Sequence, residues 1–255
     1  MKKFFVACFV SCCVMMAGSG TVFAQEDNAL IIPVELFTCN YNEGKGAADL
    51  DKAVEKWNAW ADKIGLDDYS AWTLTPYYFG PEQEFDIIWL GAAKDAVALG
   101  KVQDAYLLEK DGLRQVFAEV LSCDAHSNFA SLNYKATPDG ATPANSVITF
   151  SDCSYKEGAS FAAMNEAMDK WSQHLSDAGS DTAIFHWYPV YGGGGEEFSF
   201  KWLQIHKNFA ALGADYEIMG NGKGYEVRDE LFDGLVDCDS IRAYVAQSRR
   251  FVQLR

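Results

Sequence analysis

The sequence predicts an α+β protein made of two tandem βαββαβ units behind a cleaved leader, and three observations carry that reading. A phrase recurs: "CNYNEG" at Cys39–Gly44 returns as "CSYKEG" at Cys153–Gly158, 114 residues later. Hydrophobic periodicity switches between strand and helix in the same order in each half. Four cysteines outside the leader fall at two matching places per half.

The leader comes first. A basic pair, Lys2 and Lys3, precedes an apolar run from Phe4 to Ala17 and a small-residue stretch ending "TVFA". This is the pattern of a secretory signal peptide cut after Ala24. The run is too short for a bilayer-spanning anchor. Cys8, Cys12 and Cys13 all lie within it and are removed with it. The remaining chain carries a net charge of −17. So acidic a surface repels phosphate backbones and anionic lipid heads, which argues against nucleic-acid and membrane-surface partners.

The halves match well beyond the opening phrase. "KAVEKW" ending at Trp57 pairs with "EAMDKW" ending at Trp171. "TLTPYYFG" pairs with "HWYPVYGG", setting Pro76 against Pro189, and "EFDIIWL" from Glu84 pairs with "EFSFKWL" from Glu197. "VALG" ending at Gly100 pairs with "AALG" ending at Gly213, and Cys123 with Cys238. The offset drifts only from 113 to 115, with order preserved. A unit near 113 residues is too long for a solenoid repeat and right for a small domain. The expected division is a leader over 1–24, a first unit over 30–136, a linker over 137–145 and a second unit over 146–255. The linker, "TPDGATPAN", holds two prolines and no apolar period.

Each unit opens with a β-like run, "IIPVELFT" or "SVITFS". A helix follows with a 3.6-residue stripe: Leu50, Ala53, Val54, Trp57, Ala61 and Ile64 in one half, Phe161, Met164, Ala167, Met168, Trp171 and Leu175 in the other. Aromatic runs at Tyr69–Phe79 and Thr182–Tyr191 then turn through "GPEQE" and "GGGGEE" into Phe85–Leu90 and Phe198–Leu203. A second helical region, interrupted at "EKDG" or "GNGKG", leads to a last strand, "SNFASLNYK" or "IRAYVAQSR". That order is the ferredoxin-like split βαβ arrangement.

Four cysteines in an exported chain imply two disulfides with three connectivities. The ferredoxin-like sheet sets its first strand beside its last, antiparallel. Cys39 and Cys153 sit at the ends of first strands, and Cys123 and Cys238 sit just before last strands. The pairing expected is therefore Cys39–Cys123 and Cys153–Cys238.

Two such units in one chain resemble the dimeric α+β-barrel superfamily, in which ferredoxin-like sheets pair face to face as homodimers or fused copies. The resemblance spans the whole chain after the leader and rests on element order and duplication. It implies a pseudo-twofold barrel. Members include cofactor-free monooxygenases of polycyclic aromatic substrates, haem-handling enzymes and ligand-binding proteins. No catalytic signature selects a branch, so no site residue is carried over and no cofactor is expected.

The candidate site residues come from the chain itself. Trp72, Tyr77, Phe185, Trp187 and Tyr188 would line an aromatic pocket between the two sheets and stack on a flat apolar ligand; the same residues would also serve as ordinary core. His186 is a candidate acid–base group, since imidazole titrates near neutrality. Glu35 alternates with Val34 and Leu36 and is expected on the face away from the helices, where a carboxylate lining a barrel would be a candidate base. The counterparts of His186 and Glu35 are Thr73 and Thr149, so each is peculiar to one half. His126, His174 and His206 lack metal-ligand spacing, so no metal is expected. "GGGGEE" lacks the Lys-Ser/Thr of a phosphate loop and reads as a hairpin tip. Three functions follow in order: a binder of a small apolar or aromatic ligand, a cofactor-independent monooxygenase-like enzyme, and a module whose acidic face meets a basic protein.

Overall fold

A computed structural model describes residues 31–137 and 145–252. The expected leader and most of the expected linker lie outside the described residues. Among those residues no helix is long and apolar enough to cross a membrane.

The first stretch runs β1 (Ile32–Tyr41), α1 (Ala47–Lys63), β2 (Tyr69–Tyr78), β3 (Ile87–Ala93), α2 (Ala96–Leu107), α3 (Leu113–Ala118) and β4 (Leu121–Lys135). The second runs β5 (Asn145–Tyr155), α4 (Phe161–Asp177), β6 (Ala183–Tyr191), β7 (Phe200–His206), α5 (Phe209–Gly220), α6 (Gly224–Phe232), β8 (Val236–Cys238) and β9 (Arg242–Arg250). The helical region of each stretch is split where glycine interrupts it: Gly112 takes φ 75° at the start of α3, in the left-handed region that glycine adopts most readily.

The strands form one closed antiparallel barrel. Its lanes run β7, β6, β4, β1, β3, β2, β9 and β5, and β5 pairs again with β7. The short β8 shares a lane with β9 alongside β5. Two seams, β4–β6 and β2–β9, join the earlier strands to the later ones. Alternation places one side chain in two inside the barrel. Val34, Leu36, Leu74, Ile88, Leu90, Phe129, Ile148, Phe150, Trp187, Leu203 and Tyr244 fill it as one cluster. The outer face is covered by α1, α2 and α3 on one side and by α4, α5 and α6 on the other. The stripe of α1 buries Leu50, Ala53, Val54, Trp57 and Ala61 as expected, with Ile64 left exposed.

Cys39 lies 2.01 Å from Cys123 and Cys153 lies 2.02 Å from Cys238, sulfur to sulfur, the pairs that the strand order predicts. Both are direct cross-strand partners: Cys39 faces Cys123 in the β1–β4 ladder, and Cys153 faces Cys238 in the β5–β8 ladder. The strands therefore run further than the apolar pattern suggests. The cysteines stand inside the ladders on the helix-covered face, where Cys39 and Cys153 are fully buried but Cys123 and Cys238 are exposed, so no apolar period marks the strand ends that carry them.

Candidate ligand cavity and its carboxylate floor

The aromatic pocket expected between the sheets is filled. Trp187 is buried in the barrel against Phe129 and Phe150, with ring centroids 6.1 and 5.5 Å away. Trp72 and Phe185 pack against the same cluster. Tyr77 is half exposed at the end of β2, against Tyr78 and Phe209. Tyr188 lies on the outer face beside Phe161 and Phe200. A cavity of about 290 Å³ remains at one mouth of the barrel, where Lys201 and Arg242 are already ion-paired with Asp152.

His186 stands on the outer face, fully buried, stacked on Phe200 at 4.4 Å and against Tyr134 at 4.5 Å. Neither ring nitrogen has a hydrogen-bond partner. Burial lowers its pKa to about 3, so the ring is neutral and sealed.

Glu35 differs from expectation in its face and in its surroundings. Val34 and Leu36 enter the barrel, so Glu35 points outward beneath the helices. The expectation failed because apolar alternation shows which residues share a face; it does not show which face the helices cover. Beneath those helices lies a cavity of about 580 Å³. Its sheet wall is Glu35, Phe37, Tyr69, Trp89 and His126 together with the Cys39–Cys123 disulfide. The helices contribute Trp57 from α1, Val102, Gln103 and Tyr106 from α2, and Arg114 and Phe117 from α3.

Diagonal geometry across three strands assembles the floor. Glu35 is in register with Asn128 on β4 and with Gly91 on β3. Side chains two residues away on a neighbouring strand come within reach of long groups. His126 sits diagonally on β4, and its Nε2 lies 3.0 Å from Glu35 Oε2. Tyr69 comes from β2, across Gly91, and its hydroxyl donates to Glu35 Oε1 at 2.8 Å. Gln103 Nε2 descends from α2 to donate to Oε2 at 3.0 Å. Trp89 Nε1 donates to the Tyr69 oxygen at 3.2 Å. Gly91 makes this possible, because a Cβ there would stand 1.9 Å from the Tyr69 hydroxyl.

Burial pushes the Glu35 carboxyl up, but the hydrogen bonds from His126, Gln103 and Tyr69 outweigh it and hold the group below the usual carboxylate range. Glu35 is therefore ionised although only 4% exposed. Burial, then the Glu35 charge, pushes the Tyr69 phenol well above its ordinary value, which keeps it a donor. With Glu35 ionised, the His126 Nε2 proton points at the carboxylate. The imidazole lies flat on Phe37, centroids 3.6 Å apart and planes 13° apart, with its side chain 46% exposed at the cavity mouth.

Trp57, Trp89 and Phe117 stand edge to face: Trp57–Trp89 centroids are 5.2 Å apart at 82° and Trp89–Phe117 centroids 5.7 Å apart at 82°. The same three positions in the later stretch hold Trp171, Trp202 and Phe232. The polar set has no such copy, since Thr149, Gln204, Thr182 and Tyr216 stand where Glu35, Gly91, Tyr69 and Gln103 do. Met164, Met168 and His186 pack into the later space, with His186 5.0 Å from Trp202.

Sequence reasoning found Glu35 and missed Tyr69, Gln103, His126 and Gly91. Two signals were present: a lone glycine inside the apolar run "IIWLGAA", which marks a close approach, and a glutamine inside the apolar stripe of α2.

Comparison with known proteins places the fold. No family model matches the chain, and no curated protein matches its sequence. Among solved structures it is similar to a provisionally assigned chlorite dismutase, with TM-score 0.53 and 10% identity over 86% of this chain and 94% of that one. An anthrone oxidase-like protein gives TM-score 0.50 and 11% identity over 88% and 95%. A mutant chlorite dismutase from Candidatus Nitrospira defluvii gives 0.50 and 7% over 85% and 91%. The chain thus shares the dimeric α+β-barrel fold, and at these identities the likeness is one of fold alone.

Proposed function

We propose that the protein binds a small, largely apolar ligand in the cavity beneath α1, α2 and α3. The observation that carries this is an ionised, buried carboxylate at the floor of an aromatic-walled cavity of about 580 Å³, within the size range of small-molecule sites. The polar set belongs to one half only, as fits a site that arose after duplication of a single unit. On this reading the chain is that duplicated unit, with the first copy over 30–136 and the second over 146–255. The leader and two disulfides fit an exported protein working in an oxidising compartment, the periplasm or outside the cell.

The test is ligand-induced change in tryptophan fluorescence, because Trp57 and Trp89 form the walls. A panel of small aromatic compounds should contain members that quench it saturably and raise the melting temperature. Filling the cavity by Val102→Phe should abolish both effects. Saturable binding that survives this substitution would place the site elsewhere.

The Glu35–His126 contact favours a second reading, a cofactor-independent enzyme. With its Nε2 proton held by Glu35, His126 offers the Nδ1 lone pair as a base. His126→Ala would then remove turnover while leaving affinity within a few-fold. A binder would lose only affinity.

A further inference from the structure

We propose that the ligand of this cavity is an organic cation, a quaternary or protonated amine on an apolar body, whose charge lies over the Trp57, Trp89 and Phe117 box above Glu35. This deepens the binding reading and rests on it. Buried charges in proteins are normally matched by a counter-charge. Glu35 has three hydrogen-bond donors, Tyr69, Gln103 and His126. None is a lysine or arginine, and among the described residues its one ion-pair partner is His126, charged only when protonated. A cationic ligand supplies what the protein leaves out.

The walls suit the same charge. An indole face attracts ammonium groups more strongly than other aromatic faces do, and perpendicular rings offer faces and edges around one point. The edge-to-face angles of 82° across Trp57, Trp89 and Phe117 give such a box. The net charge of −17 beyond the leader also draws cations towards the molecule. One group opposes the assignment: Arg114 lines the cavity. Its side chain is 52% exposed at the rim, and its Nε is 3.7 Å from the carboxylate of Glu109, so its charge is largely answered there.

The experiment titrates the full protein with three probes sharing a phenyl ring: benzyltrimethylammonium, its neutral isostere neopentylbenzene, and benzoate. Tryptophan fluorescence is read throughout. The cation is expected to bind at least about tenfold tighter than the isostere, and Glu35→Gln, which keeps the shape and removes the charge, should reduce that ratio to about threefold or less. Arg114→Gln leaves the floor intact and should raise cation affinity about two- to threefold. It keeps the test decisive if the Glu35 variant fails to fold. Equal binding of cation and isostere, or tighter binding of benzoate, would overturn the charge assignment and leave the cavity as an apolar or anion-accepting site. Absence of binding by all three would remove the assignment together with the binding reading.

Discussion

Glu35 depends on a residue with no side chain at all. Gly91 stands between Glu35 and Ala71 in register, and the Tyr69 phenol crosses the space that a methyl group there would fill. Gly91→Ala must displace Tyr69 or shift β3. Overpacking of this kind costs about 1–3 kcal/mol, to be read by chemical denaturation. The near-ultraviolet signal of Trp89 should change as well, since its indole donates to Tyr69. An unaltered spectrum would mean that the strand yields instead. His186 gives a second prediction at this scale. Its folded pKa, about 3, lies below the unfolded value near 6.5, so the unfolded chain takes up the proton first as pH falls. Stability from this group is complete above about pH 6.5 and is lost progressively towards about pH 3. His186→Phe should flatten that slope in urea melts between pH 7 and pH 4. Because both ring nitrogens lack partners, the substitution should cost little at neutral pH. Identical slopes would show that another group sets the acid sensitivity. Glu35 was legible in the sequence as a lone acid between apolar neighbours, whereas its partners were not. Tyr69, Gln103 and His126 reach it from β2, α2 and β4, and diagonal contacts between strands leave no period in the chain.

Elements were the most legible scale, because the two stretches order their strands and helices alike. The helices α1 and α4 carry matching stripes, and α2 with α3 and α5 with α6 break where glycine breaks the pattern. Strand ends were less legible: β4 begins at Leu121, six residues before the apolar run that announces it, because "SCDAHS" is polar and is ordered by its ladder with β1. Each disulfide closes a long loop, with its cysteines 84 or 85 positions apart. Replacing Cys39 and Cys123 together by serine should lower stability by about 2–4 kcal/mol, and the equivalent change at Cys153 and Cys238 should do the same. The first change should also weaken ligand binding, since that cystine forms part of the cavity wall. Equal ligand affinity in both double variants would detach the disulfide from the site. A smaller test concerns the start of α4, where Ser160 Oγ accepts from the Ala163 backbone N–H. Ser160→Ala should cost about 1 kcal/mol in the same melts.

For the whole molecule, closure of the barrel was legible only through resemblance to a superfamily, since no local pattern says that β4 will meet β6 or β2 will meet β9. Those seams are extensive, with seven register pairs along each. A fragment ending at residue 137 would keep its own disulfide and its cavity but expose β2 and β4 as open edges. Such a fragment should self-associate, pairing β4 with β2 of another copy, and light scattering should find dimers or larger species. A monodisperse, folded monomer would show that the seams add little.

Among the described strands the latest in chain order, β9, fills the slot between β2 and β5. Until Arg242–Arg250 are in place, both of those neighbours lack a partner along one side. The barrel therefore cannot close from its earlier strands alone, and closure waits on a segment that comes late in the chain order.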